Sequence, residues 1–308
     1  MKELNYEKVF NTLVEETANY VTSNGLKAMV LGISGGIDST VVAAICHEVS
    51  KKTDIPLIGR SLPIKNKSDE FATSVHVGEA FCNEFSVYRL ERSYRAALFD
   101  ACADAGDVNM ANSYYLDELE EMPSRTPIAN GNLQARCRMM YLYDIASRHK
   151  GLVMSTDNQT EYQLGFWTIH GDVGDFDPIQ DLWKTEVYEL AKWISNRYKN
   201  IEHHHTIMTG AGSKSDAIEL SIALTPTDGL GISNSDLEQI GARTYYDVDR
   251  VLQTLICKAS PENDKLQDSL EQELGREVVH KIIKRHTASE FKRKKAPIYI
   301  TREKYEND

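Results

Sequence analysis

The chain has 308 residues and carries 35 Lys and Arg against 46 Asp and Glu, a formal charge of −11. Such a balance repels nucleic acid and anionic membrane wherever basic residues are not locally concentrated. With 41% hydrophobic and 26% charged residues, eight prolines and 18 glycines, the composition excludes collagenous and low-complexity chains. The opening MKELNYEKVF is charged where a secretory leader needs an apolar run, and no stretch approaches ~18 uninterrupted apolar residues. A soluble cytoplasmic protein with no nucleic-acid or membrane partner is expected.

Val9, Phe10, Leu13, Val14, Ala18 and Val21 fall at helical spacing, which predicts an amphipathic helix over 5–23. Residues 26–33 form a short apolar run ending at Ser34-Gly35-Gly36, the pattern of a buried parallel strand entering a tight turn, and STVVAAICHEV after Asp38 predicts the next helix. The alternation continues with strand 55–62, helix 68–82, strand 85–90 and helix 93–105. Strands alternating with helices imply right-handed βαβ units and a parallel sheet.

Residues 106–130, with two prolines, read as a surface excursion. A long helix is expected over 132–149, with Leu133, Cys137, Met140, Tyr141 and Ile145 along one stripe. Strand 151–155 follows, then a glycine-rich acidic loop over 165–181 and a helix over 184–196. Residues 200–234 look loop-rich, and helices are expected near 235–241, 247–258 and 265–285. The expected architecture is α/β: an open parallel sheet with helices on both faces, Rossmann-like. It forms a single domain over 1–308, with the excursion at 106–130 and a helical C-terminal segment over 235–308.

Cys46, Cys82, Cys102, Cys137 and Cys257 lie far apart with no C-x-x-C pair. They read as small buried hydrophobes rather than a metal or redox site. His203-His204-His205 lacks an acidic or thiol framework and reads as a solvated loop, Lys292–Lys295 as a solvated tail or a local phosphate contact, and Trp167 and Trp183 as packing aromatics.

The chemistry concentrates in Gly32-Ile33-Ser34-Gly35-Gly36-Ile37-Asp38-Ser39-Thr40, between a predicted strand and a predicted helix. Paired glycines let the backbone close around an anion, and the helix N-terminus adds free N–H groups and partial positive charge. This is not the lysine-bearing P-loop. Asp38 beside phosphate oxygens would be repulsive without a divalent cation between them, which implies Mg²⁺. Thr156-Asp157-Asn158-Gln159-Thr160-Glu161 follows another predicted strand, so both segments should meet at the carboxyl edge of the sheet.

The SGGxDS loop resembles the signature of the N-type ATP pyrophosphatases. Asn132–Met139, Ser155–Glu161, Gly165–Thr168 with Gly171–Asp175, and Pro178–Val187 resemble the NAD synthetases of that superfamily, in that order. The resemblance implies ATP as co-substrate, bound by Gly32, Ile33, Ser34, Gly35, Gly36, Ile37, Asp38, Ser39, Thr156, Lys184 and Thr227, with Mg²⁺ on Asp38 and Glu161. It also implies deamido-NAD on Arg136, Asp175 and Lys292, catalytic roles for Asp38, Lys184 and Asp175, ammonia as the nitrogen donor, and a homodimer. Departures are visible: Ile169-His170 stands where many relatives carry a lysine, Phe291 precedes Lys292-Arg293 where a histidine is usual, and Arg60-Ser61-Leu62-Pro63 differs from the common Arg-Leu-Pro. With the glycine loop beginning at Gly32, little chain precedes it for a glutaminase, so free ammonia or a separate subunit is expected. Another ATP pyrophosphatase, an amidotransferase or tRNA thiolase, and a non-catalytic nucleotide-binding module stay open as alternatives.

Overall fold

Four parallel strands form one sheet in the order β3-β2-β1-β4: β1 (Met29–Gly32), β2 (Leu57–Ser61), β3 (Glu84–Val87) and β4 (Leu152–Val153). This is a computed structural model; it describes residues 4–202, 213–225, 235–256 and 262–293. Thr227, His203–His205, Cys257 and the basic residues after Arg293 lie outside the described residues.

Burial explains the strand order. All five residues of β2 are buried, whereas most of β3 is exposed, as an edge strand allows. Along β1, Met29 and Leu31 pack into one apolar cluster and Val30 into another, following the two-residue alternation of a strand. The first cluster joins α1 (Tyr6–Ser23), α2 (Ile37–Thr53), α3 (Ser68–Phe81), α8 (Lys184–Glu202) and α9 (Lys214–Ala223). The second joins α4 (Glu91–Asp104), α5 (Leu116–Glu120) and α6 (Pro127–His149). Helices therefore cover both faces of a Rossmann-like parallel sheet. A third cluster builds on α7 (Gln159–Leu164), α10 (Asp236–Ile240), α11 (Tyr245–Ile256), α12 (Glu262–Leu274) and α13 (Arg276–Ala288). Among the described residues no helix is long and apolar enough to cross a membrane.

Several sequence expectations shift. The segment 106–130 contains α5, whose Leu119 is fully buried. The long helix starts at Pro127, because Thr126 caps it by accepting the Ala129 N–H and Pro127 fits the first turn. Met140 points outward at 66% exposure; the buried face of α6 is rotated toward Ala135, Met139, Leu142 and Ala146. Within the stretch read as loop-rich, α9 forms with Ser213 as its cap. The single helix expected over 265–285 is two, split at Gly275, whose φ of 92° lies in the left-handed region.

Candidate active site

The loop after β1 is shaped for an anion. Gly36 caps α2 in an extended conformation with no side-chain acceptor, so no side chain occupies the first-turn N–H groups. Gly35 has φ 89°, and a Cβ there would stand 2.5 Å from the Glu70 carbonyl oxygen and 2.9 Å from the Ser74 nitrogen on α3. No other residue fits without moving α3. Ser34 and Ser39 hydroxyls lie 3.0 Å apart across the loop, and Gly36 N–H donates to Ser34 Oγ at 3.1 Å. The chain reverses between β1 and β4, the switch point where open parallel sheets leave a crevice.

Into that crevice α8 sends its first residue. Lys184 is 2% exposed, and its Nζ donates to Asp38 Oδ2 at 2.5 Å and to Glu161 Oε1 at 2.8 Å. Asn158 Nδ2 donates to Asp38 Oδ1 at 2.8 Å, while Asn158 and Glu161 close the capping box that starts α7. One residue thus caps α7 and braces the glycine loop. Burial alone would push the Lys184 ammonium down, but the carboxylates of Asp38 and Glu161 hold it well above its ordinary range. A cation with two carboxylates leaves one net negative charge, so the trio is compensated for one of the two acids only.

A cavity of about 290 Å³ opens beside it, lined by the loop, Thr156, Glu161 and Lys184, and further on by Arg60, Asn66, Phe71, Arg138, Met139 and Asp172. Arg138 donates to the Leu62 carbonyl at 3.1 Å and to Asn66 Oδ1 at 3.3 Å; burial lowers its pKa and its partners are neutral. Arg60 is engaged by Glu84 and the Gly59 carbonyl.

An acidic cluster reaches the cavity through Asp172. Burial raises Asp157 well above the carboxylate range, with Asp172, Asp177 and Glu161 adding repulsion. Asp172 keeps surface facing the cavity, yet the surrounding walls remove enough water to push it up to about 6 against the Thr168 N–H that it accepts. Burial also lifts Asp177 to about 7. Its Oδ2 is buried without a hydrogen-bond partner among the described residues.

The NAD synthase family model matches residues 9–296. The chain belongs to the NAD synthase family. It is 29% identical over 296 residues to a glutamine-dependent NAD(+) synthetase of Aquifex aeolicus, covering 95% of this chain and 45% of that one. Against an NH(3)-dependent NAD(+) synthetase of Wolinella succinogenes it is 29% identical over 303 residues, covering 96% of each. The chain therefore spans less than half of the first relative and nearly all of the second. A solved NMN synthetase of Francisella tularensis shares the fold at TM-score 0.69 and 24% identity, over 97% of this chain and all of that one.

Within this NAD synthase chain the structure gathers Gly32, Ile33, Ser34, Gly36, Ile37, Asp38, Thr156, Glu161 and Lys184 around one cavity, with Gly35 and Ser39 completing the loop. Three other candidates stand apart. Arg136 is exposed and donates to the Ile169 carbonyl at 3.2 Å. Asp175 accepts the Val153 N–H at 2.9 Å and the Tyr143 hydroxyl at 2.8 Å, which ties both oxygens to β4 and α6. Lys292 donates to the carbonyls of Gly165 and Trp167, and burial lowers its pKa. The sequence reading missed Asn158, Arg138 and Asp172. Asn158 was signalled by Asn-x-x-Glu, a capping pattern inside a quoted motif; nothing in the sequence separated Arg138 from Arg136.

Proposed function

We propose that this chain amidates deamido-NAD with ammonia at the expense of ATP, releasing NAD, AMP and pyrophosphate. The observation that carries the reading is the Lys184 ammonium seated between Asp38 of the glycine loop and Glu161 of α7, at the switch point of a NAD synthase chain. A carboxylate is a poor acyl donor because its leaving group would be oxide. Its oxygen therefore attacks the α-phosphorus of ATP, the bond to pyrophosphate breaks, and an acyl-adenylate forms. Ammonia then attacks the acyl carbon, the carbon–oxygen bond to AMP breaks, and a proton leaves the nitrogen.

Two like charges about 4 Å apart repel by about 4 kcal/mol at an effective dielectric near 20, so positioning the anionic partners is the main task. Free N–H groups at the start of α2 receive phosphate oxygens, and Lys184 and Arg138 supply positive charge along the cavity. Asp38 and Glu161 present hard oxygen donors suited to Mg²⁺. Mg²⁺ typically binds through one or two carboxylates plus substrate phosphates. When bound, Mg²⁺ neutralises phosphate charge and orients the triphosphate. Water must be kept from the acyl-adenylate, and the segment 165–181, which lines the cavity through Gly171 and Asp172, is suited to that exclusion. Assembly as a homodimer in the cytoplasm fits this reading.

Incubation with MgATP, ammonium and deamido-NAD is expected to give NAD, AMP and pyrophosphate in equal amounts. ADP in place of AMP, or tight ATP binding without turnover, overturns the reading. Substituting nicotinate mononucleotide tests whether the dinucleotide is required, and substituting glutamine tests the nitrogen source. Light scattering should give twice the chain mass.

A further inference from the structure

A carboxylate outside the cavity holds its two catalytic elements together. Asp249, on α11, is fully buried. Its Oδ1 accepts the Thr160 hydroxyl of α7 at 2.5 Å. Its Oδ2 accepts both the backbone N–H and the hydroxyl of Thr185 on α8, at 3.1 and 2.7 Å. The Thr160 hydroxyl in turn accepts the backbone N–H of Lys184 at 2.9 Å. Asp249 thus caps the N-terminus of α8 from another helix and clamps it to α7.

The three donors are two hydroxyls and one backbone N–H, none of them a cation. A buried carboxylate without a charged partner is costly unless its lone pairs are satisfied. Here the helix N-terminus supplies both hydrogen bonds and partial positive charge. The clamp fixes Thr160 and Thr185, the immediate chain neighbours of Glu161 and Lys184, whose side chains meet at 2.8 Å. Burial pushes the Asp249 carboxyl up to about 6, against the pull of Thr160 and Thr185.

We infer that Asp249 is a positioning residue: through Thr160 and Thr185 it sets where the Lys184 ammonium sits relative to Asp38 and Glu161, although it touches no substrate. The inference rests on the reading of Lys184 as the cation of the adenylation site. A misplacement near 1 Å can cost about 10²-fold in rate. Asp249→Asn in the full chain should therefore lower kcat by about 10–100-fold. The MgATP KM should change by less than kcat does, because the first-turn N–H groups of α2 that receive the phosphates are not part of the clamp. Thr160→Val should lose turnover in the same way, and Thr160→Ser, which restores the hydroxyl, should recover most of it.

All rates are normalised to folded protein, so a residue that merely stabilises the fold would move the melting temperature and leave kcat alone. Overturning results are an Asp249→Asn kcat within about twofold of the parent, or a Thr160→Ser variant no better than Thr160→Val. If the parent chain itself makes no AMP, the functional reading falls. The positioning inference is then decided by a crystal structure of Asp249→Asn: Lys184 Nζ displaced from Asp38 and Glu161 supports it, and Lys184 in place refutes it.

Discussion

The lysine-braced side of the cavity and the acidic cluster that reaches it through Asp172 are built on opposite principles. On the braced side, Asp38 and Glu161 share the Lys184 ammonium, and Asn158 fills a remaining oxygen of Asp38. In the acidic cluster, Asp172 and Asp177 both repel Asp157, Lys292 offsets part of the effect of burial on Asp172, and the hydrogen-bonding support of Asp157 is neutral: the Ser155 hydroxyl donates to it at 2.9 Å while accepting the Gly174 N–H at 3.1 Å. The first carries a counter-ion within the chain. The second favours proton uptake, since burial lifts the pKa values of all three acids and repulsion from Asp172 and Asp177 adds to it at Asp157. A charged site can thus be made rigid or made titratable, and the position of a single lysine decides which.

Removing that lysine is the largest perturbation available. Lys184→Met strips a shared side-chain cation from two partly buried carboxylates, and turnover should fall roughly 10²–10³-fold. Stability should drop by about 2–3 kcal/mol, below the full cost of an unpaired buried charge because both acids keep some exposure. Turnover and a denaturant melt check both; unchanged stability would mean that the carboxylates are not in fact held by Lys184. Gly35→Ala comes next. A methyl group at φ 89°, 2.5 Å from the Glu70 carbonyl, must push α3 or the loop aside. At about 1–3 kcal/mol of strain, MgATP affinity should weaken by roughly 5–150-fold in calorimetry.

The same contrast separates what the sequence disclosed from what it did not. Gly35 and Asp38 were singled out by a local pattern with its own physics, a glycine turn running into a helix start, whereas Glu161 and Lys184 were singled out only by the resemblance of their motifs to the NAD synthetases. The order of strands and helices was legible because periodicity is a local property. Thr126-Pro127 misled because prolines mark both loops and first helical turns. Asp249 lies 89 positions from Thr160 in the chain, and their hydrogen bond exists only after α11 docks on α7. Arg136 and Arg138 are alike in sequence, and only the rotation of α6 sends Arg138 to the cavity and Arg136 outward. Roles set by long-range packing have no local signature.

The acidic cluster makes a smaller but signed prediction. Asp177 titrates at about 7 in the folded protein, against about 4 when unfolded. Between those values the native state holds a proton that the unfolded chain has released, so stability falls as pH rises through this window. Asp177→Asn keeps an oxygen for the Ile179 N–H, which donates at 3.0 Å, and removes the charge. The variant should melt higher than the parent at pH 8, by on the order of 2 °C or more. The gain should shrink toward zero by pH 5. A variant that melts lower at pH 8 would show that the Asp177 charge is compensated after all.

The smallest effect tests Asp175, which stands apart from the cavity. Both of its oxygens are engaged, one by the Val153 N–H and the other by the Tyr143 hydroxyl, which joins the segment after Gly174 to β4 and α6. Tyr143→Phe deletes one bond and nothing else of comparable strength, so stability should fall by about 1 kcal/mol or less. If Asp175 serves only to hold the segment, the KM for ammonium should stay within about twofold of the parent. Should Asp175 instead handle the incoming nitrogen, releasing Oδ1 from the tyrosine would alter its freedom to turn. The ammonium KM would then move by more than the stability loss explains, and Asp175 would belong with Lys184 in the chemistry rather than with β4 in the scaffold.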